Sequence, residues 1–120
     1  MPISILVLDP VSINRIRLTA LLGAAQYAVT SATQVSELAV PLTEFDLLVL
    51  GLPETPPVRA ICEVTERINA EETPLLCLDA HPSPLRRLLA LRAGARDVLP
   101  RAAPDGLLLS RIRGLLREGE

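Results

Sequence analysis

The 120-residue chain contains no lysine and no tryptophan, and its aromatic side chains are limited to Tyr27 and Phe45. Without lysine, the chain cannot use an amine side chain as a Schiff-base nucleophile or a general base. With so few aromatic rings, it has no platform for stacking unpaired bases and no cage for a cationic ligand. The net charge of −2 argues against broad electrostatic binding to nucleic acid. We therefore expect that this domain does not bind nucleic acid.

Long apolar runs and closely spaced cysteines are also missing. No segment approaches the roughly 18 apolar residues that cross a bilayer, and no basic segment precedes the first apolar stretch as in a signal peptide. Cys62 and Cys77 are too far apart for a C-x-x-C motif, so we interpret them as reduced, buried thiols. We expect a cytoplasmic protein with no membrane contact, cofactor or bound metal.

The chain is rich in apolar residues arranged in alternating strand-like and helix-like segments. We predict strands at Ile3–Leu8, Tyr27–Ala32, Phe45–Leu50, Leu75–Asp79 and Asp97–Leu99. We predict helices at Ser12–Ala25, at a short segment from Ser36 that Pro41 ends, at Val58–Asn69, from Ser83-Pro84 to Ala93, and at Pro104–Arg117. In the first helix, one side carries Ile13, Ile16, Ala20 and Ala24, with Arg15 outside it. The order predicts a single α/β domain over residues 1–120, with a doubly wound, five-stranded parallel sheet and five helices.

Four residues follow strands of this predicted sheet and are candidates for a site. Asp9, Gly51, Asp79 and Arg101 come after strands one, three, four and five. Because the carboxyl ends of parallel strands share one edge, ligands of such sheets bind there. We expect these four positions to meet.

The segments around these positions resemble the receiver domain of bacterial two-component response regulators. The matching segments are I-L-V-L-D-P, F-D-L-L-V-L, T-P-L-L-C-L-D-A and R-A-G-A-R-D-V-L-P-R, and the resemblance covers nearly the whole chain. It implies the flavodoxin-like fold. It also implies a domain in which an acidic pair helps to hold Mg²⁺ while an aspartate accepts a phosphoryl group from a histidine kinase.

Compared position by position, the sequence keeps little of that chemistry. Asp9 matches the first residue of the acidic pair, but Pro10 replaces the second. Gly51 stands at the position of the phosphoryl acceptor and has no side chain to modify. The resemblance therefore implies a receiver whose acceptor is lost.

The remaining family positions are altered as well. Asp79 occupies the position of the Ser or Thr that binds phosphoryl oxygens, and its charge would repel them. Arg101 occupies the position of the lysine, and Val98 that of the aromatic switch residue. We interpret the chain as a pseudo-receiver with no catalytic residues of its own.

Asp9 and Asp79 are expected to form a residual acidic pocket. Two carboxylates could bind a divalent cation, but they are few ligands for magnesium. We favour instead an internal ion pair, in which Arg101 binds Asp79 bidentately across adjacent strand ends. His81, the only histidine, is interpreted as a solvent-facing loop residue.

Two other readings of the strand ends stay open. Asp46 or Glu54 could serve as a displaced acceptor, although Asp46 lies about four residues, roughly 13 Å, from the carboxyl end of its strand. Alternatively, the space left at Gly51 could hold a small molecule that the domain senses.

The fourth and fifth predicted helices are candidates for a contact surface and a core-packing helix. The fourth helix spreads its leucines over more than one stripe, which indicates either partial cover by loops or a partner surface. The candidate interface comprises Leu85, Leu88, Leu89, Leu91, Arg86, Arg87 and Arg92. The fifth helix has one apolar arc, formed by Leu108, Leu109, Ile112, Leu115 and Leu116, with solvated arginines off it.

These observations predict a non-enzymatic module that regulates an attached or separate output through phosphorylation-independent protein contacts. The resemblance implies a partner protein or a homodimer at the fourth helix, fifth strand and fifth helix. The opening L-V-L-D-P-V-S-I-N-R-I-R-L-T-A-L-L is similar to receivers that precede diguanylate cyclase (GGDEF) domains. The closing R-E-G-E resembles the start of a linker, so an attached output could be such a cyclase.

Overall fold

The computed structural model describes residues 2–54, 57–69 and 71–118. The strands are β1 (Ser4–Leu8), β2 (Ala28–Ala32), β3 (Leu47–Leu52), β4 (Leu75–Asp79) and β5 (Asp97–Pro100). The α-helices are α1 (Ser12–Ala24), α2 (Pro57–Thr65), α3 (Pro84–Ala93) and α4 (Asp105–Glu118). Of the R-E-G-E segment, residues 119–120 lie outside the described range.

The strands form one parallel sheet in the order β2-β1-β3-β4-β5. Helices α1 and α4 pack on one face, where Leu18 and Leu22 meet Leu108 and Ile112. Helices α2 and α3 pack on the other face. Strands β3 and β4 are buried along their whole length, which is why their sequences are almost continuously apolar. The predicted doubly wound α/β sheet is confirmed.

Helix α3 begins and ends where the sequence predicts. Its N-cap Ser83 accepts a hydrogen bond from the Arg86 backbone N–H at 3.1 Å, and Pro84 takes the first helical position. Gly94 ends the helix with φ of 121°, a conformation that favours glycine.

The described residues contain four α-helices, so the prediction of five was wrong by one. The segment from Ser36 forms two single turns of 3₁₀ helix, Val35–Glu37 and Leu42–Glu44, with Pro41 extended between them. Proline at this point prevents the two short turns from joining, because it cannot donate an intrahelical hydrogen bond.

Helix α1 turns a different face to the sheet from the apolar side that its sequence predicts. Leu18 and Leu22 are its buried residues, whereas Ile13 and Ile16 are 66% and 64% exposed. Arg15, expected outside the packed side, is half-buried, and its Nη1 donates to the Asp9 carbonyl oxygen at 2.7 Å. The predicted apolar side therefore faces away from the sheet.

Helix α4 packs with the predicted arc against the sheet. Leu108, Ile112 and Leu115 are buried, and Leu109 and Leu116 pack against them. Among the described residues, no helix combines the length and apolar character needed to cross a membrane.

Candidate functional site

The four candidate residues lie at one edge of the sheet, as predicted. Asp9 follows β1, Gly51 is the second-last residue of β3, Asp79 ends β4, and Arg101 follows β5. Strand pairing aligns Leu52 with Asp79, and the Arg101 backbone N–H donates to the Asp79 carbonyl oxygen at 2.8 Å. We call this group of strand ends, together with the loops that leave them, the rim.

At the rim, Arg101 pairs with Asp9. Its Nη2 lies 3.2 Å from Asp9 Oδ2, and Asp9 is fully buried. The other carboxylate oxygen of Asp9 accepts the Val11 backbone N–H at 2.9 Å. The prediction that Arg101 pairs with Asp79 was wrong, because the Arg101 side chain crosses the ends of β4 and β3 to reach β1.

Gly51 makes this crossing possible. A Cβ built on Gly51 would lie 2.7 Å from Arg101 Nη2 and closer still to the Asp9 carboxylate, separations that real Cβ atoms essentially never show. Because Gly51 has no side chain, the Arg101 guanidinium can pass over the end of β3 to reach Asp9. The room expected at Gly51 for a small molecule is filled by the ion pair.

Asp79 is bound by Arg86, from the first turn of α3. Arg86 Nε donates to Asp79 Oδ2 at 2.8 Å, and Nη2 donates to Oδ1 at 3.0 Å. The same guanidinium donates to two carbonyl oxygens of the loop after β3, those of Pro53 at 2.8 Å and Glu54 at 2.5 Å. All three guanidinium nitrogens are therefore used, and the end of β4, the start of α3 and the β3–α2 loop are joined.

The sequence reasoning placed Arg86 at an interface edge and missed this role. The signal was available in the helix start: Ser83 and Pro84 fix where α3 begins, so Arg86 falls in the turn nearest the strand ends. An arginine there is within reach of the acid that ends β4.

Ionisation follows from these contacts. Burial opposes the charge of Asp79 and would raise its pKa. The hydrogen bonds from Arg86 and from the His81 backbone N–H, together with the positive charge of Arg86, outweigh this effect of burial and hold the pKa of Asp79 below its ordinary value. The hydrogen bond to Asp79 raises the pKa of Arg86. Burial, together with the Asp79 charge, raises the pKa of Cys77 to about 12, and both cysteines are free thiols.

Both alternative acidic side chains have partners away from the Asp9–Arg101 pair. Asp46 precedes β3 at the opposite end of the sheet, where its Oδ2 accepts the Ser4 backbone N–H at 2.8 Å. The Glu54 side chain is 81% exposed and lies 3.0 Å from His81 Nε2. Within the described residues, no group of three or more His, Cys, Asp and Glu side chains is placed to hold a metal.

Six of the seven candidate interface residues divide into three kinds, and Arg87 forms a fourth. Leu85, Leu88 and Leu89 are exposed on α3, and Arg92 is exposed beyond them. Leu91 instead packs against the core. Arg86 is bound at the rim, as described above.

Arg87 binds the edge strand. Its Nη1 donates to the Val98 carbonyl oxygen at 2.6 Å, and its Nη2 lies 3.4 Å from Asp97 Oδ1. Arg111 of α4, expected to be solvated, binds the other oxygen of Asp97 at 2.5 Å. Asp97 thus ties α3 and α4 to β5.

A groove of about 450 Å³ separates α3 from β5. Its lining includes Pro82, Pro84, Arg87, Val98 and Pro100. The small Val98 stands where the family resemblance places an aromatic residue, and the groove opens beside it.

Arg17 connects α1 to the loop after β5. Its Nη1 donates to the Arg101 carbonyl oxygen and its Nη2 to that of Ala103, each at 3.1 Å. Nη2 also lies 2.8 Å from Asp105 Oδ1. The backbone that carries Arg101 is therefore fixed to helix α1 by Arg17.

With this geometry established, known proteins offer a comparison. A structure of a CheY-like response regulator receiver domain from Methanospirillum hungatei JF-1 superposes with a TM-score of 0.83, at 19% identity, over 99% of this chain and 97% of that one. The chain has the fold of a response-regulator receiver domain. A pilus assembly-related protein from Burkholderia pseudomallei K96243 shares the receiver fold, with a TM-score of 0.82 at 24% identity over 98% of this chain and 92% of that one.

In sequence, the receiver-like chain is similar to the transcriptional regulatory protein CpxR of Klebsiella pneumoniae, 39% identical over 72 residues. The match covers 60% of this chain and 31% of that regulator, so it spans about a third of the curated relative. No protein-family model matches the chain.

Proposed function

We propose that this receiver-like domain regulates its output through protein contacts that need no phosphoryl group. The observation that carries the proposal is the filled rim. Asp9 and Arg101 occupy the space beside Gly51, and Arg86 saturates Asp79. A phosphoryl transfer needs both a nucleophile and an open site for the incoming anion, but Gly51 has no side chain and the Asp9–Arg101 pair fills the space beside it.

The two ion pairs also take over part of what phosphorylation is expected to do. In a receiver, the new phosphoryl group attracts the groups after β4 and β5 toward the rim. Here Arg101 is already drawn across the rim, and Arg86 already fixes the end of β4 and the loop after β3. The domain is therefore set in one arrangement by its own side chains.

The surface for these contacts is the α3–β5–α4 face. Leu85, Leu88 and Leu89 give it an exposed apolar ridge, and the groove beside Val98 gives it a recess next to that ridge. An apolar ridge with arginine edges suits a protein partner, since such patches on soluble domains mark contacts.

Incubation with acetyl phosphate and Mg²⁺, followed by intact mass measurement, tests the proposal. We expect no added mass on the 120-residue chain, because Gly51 has no side chain to modify and the Asp46 and Glu54 side chains lie away from the Asp9–Arg101 pair. A phosphate-accepting receiver treated in parallel shows that the reagent is active. A stoichiometric, acid-labile adduct on this chain would overturn the proposal, and peptide mapping would then identify the displaced acceptor.

A further inference from the structure

A second groove opens at the end of the sheet opposite the rim, between α4 and the residues that precede β1 and β2. It has a volume of about 270 Å³ and is lined by Ile3, Tyr27, Arg113, Leu116 and Arg117. We call it the α4 groove. Tyr27 and Leu116 pack against the core, and Ile3 is 40% exposed beside them. The lining is therefore apolar except for two cations, and α4 supplies both.

These two cations have no counter-charge in the fold. Arg113 and Arg117 are exposed, and neither forms a hydrogen bond or an ion pair with another described residue. Arg111 of the same helix differs, because it binds Asp97. Asp46 lies at the same end of the sheet as the α4 groove, but its carboxylate accepts a backbone N–H of β1 instead. The positive charge of the α4 groove is thus available to an outside ligand.

The spacing of the two arginines makes this charge unfavourable in the isolated chain. They are four residues apart in α4, so their side chains are neighbours on the helix surface and repel each other. The carbonyl end of the helix favours the charge of Arg117, which lies in the last turn. Arg113 lies one turn earlier, where this effect has faded. An anionic ligand in the α4 groove would remove the repulsion.

We propose that the α4 groove binds an acidic segment of a partner protein, with an apolar side chain in the groove and a carboxylate on each arginine. Guanidinium groups bind carboxylates bidentately. Positions one helical turn apart match carboxylates two residues apart in an extended segment or four apart in a helix. A protein segment fits better than an anionic membrane, because Tyr27 and Leu116 are partly buried, whereas membrane surfaces take up protruding apolar side chains.

Tyr27 gives a direct readout of this binding. It is the only tyrosine of a chain that has no tryptophan, so the tyrosine emission of the protein arises at the α4 groove. The probe is an aromatic-free peptide that alternates glutamate and aspartate with leucine. We expect a saturable change in Tyr27 emission, with micromolar affinity that weakens as salt is added, because the ion pairs are exposed. The same peptide with lysine at every acidic position should leave the emission unchanged.

Matched variants separate the α4 groove from net charge. The double variant Arg113→Gln/Arg117→Gln should bind the acidic peptide at least about tenfold more weakly, since both charged donors are lost. Arg59→Gln/Arg67→Gln removes two exposed arginines at and after α2, has the same net charge, and should bind as the wild type does.

Three results would overturn the proposal. The first is a wild-type emission that the acidic peptide does not change. The second is an equal loss of affinity in both double variants, which would show that net charge alone drives binding. The third is a response to anionic phosphatidylglycerol vesicles but not to the peptide, which would assign the α4 groove to a lipid surface. None of these results affects the phosphoryl-transfer test.

Discussion

The rim contains two arginine–carboxylate pairs that differ in how completely their hydrogen bonds are satisfied. Arg86 uses all three guanidinium nitrogens, on both oxygens of Asp79 and on two backbone carbonyls. Arg101 reaches Asp9 through one contact of 3.2 Å, and its buried Nε has no hydrogen-bond partner among the described residues. Both carboxylates are buried to the same degree. We therefore expect the strength of each pair to depend on the number of groups that bind it rather than on its position at a strand end.

Removal of Arg86, whose three guanidinium nitrogens are all hydrogen-bonded, should have the largest effect on the free energy of unfolding. Arg86→Met should lower the free energy of unfolding by about 3 kcal/mol or more, because it leaves Asp79 buried without a cation and frees the loop after β3. Chemical denaturation at neutral pH measures this loss. Arg92→Met, an exposed arginine later in the same helix, is the matched control and should cost little.

Acid titration sharpens this result. In the wild type, the depressed pKa of Asp79 adds stability above the ordinary carboxyl pKa, and that stability is lost as the pH falls through the folded-state pKa. In Arg86→Met, only His81, mainly through its backbone N–H, still opposes the effect of burial, so the pKa of Asp79 should rise and the carboxyl should protonate at a higher pH. The gap in stability between wild type and variant should therefore narrow in acid. A constant gap would mean that Asp79 is not the group affected.

A side chain at Gly51 should have the next largest effect. Gly51→Ala should destabilise the chain by about 2 kcal/mol, because its Cβ collides with Asp9 and displaces Arg101. Gly114→Ala is the matched control: it lies in α4 with open space around it, so alanine should stabilise the helix by roughly 0.5–1 kcal/mol. If both substitutions changed the free energy of unfolding in the same direction, the packing described at Gly51 would be contradicted.

Removal of Arg101, which binds Asp9 through a single contact, should have the smallest effect on the free energy of unfolding. Arg101→Met should cost about 1–2 kcal/mol, because the removal of an unsatisfied buried Nε and of a single long contact offsets part of the cost of leaving Asp9 without a cation. The measurement is the same denaturation series as for Arg86→Met. If the two arginine variants cost the same, the distinction between saturated and unsaturated pairs fails.

Much of the fold was predictable from the sequence because parallel strands impose a simple pattern. Near-continuous apolar runs such as that of β3 require cover on both faces, and the carboxyl ends of such strands must share an edge. Hence Asp9, Gly51, Asp79 and Arg101 could be brought together before the structure was known.

The pairing at that edge could not be read from the sequence. Adjacent strands suggested Asp79 as the partner of Arg101, but the outcome depends on where α3 places Arg86 and on the absence of a side chain at Gly51. The orientation of α1 is hidden for a related reason. Its apolar residues surround the helix, so spacing alone does not decide whether Leu18 or Ile16 faces the sheet.

The link that Arg17 makes has a mechanical consequence. Three polar contacts of Arg17 join helix α1 to the segment that carries Arg101. Helix α1 also holds Asp9, through Arg15 Nη1 on its carbonyl oxygen and the Val11 backbone N–H on its carboxylate. A ligand that bound α1 would therefore act on both partners of the Asp9–Arg101 pair without any covalent change.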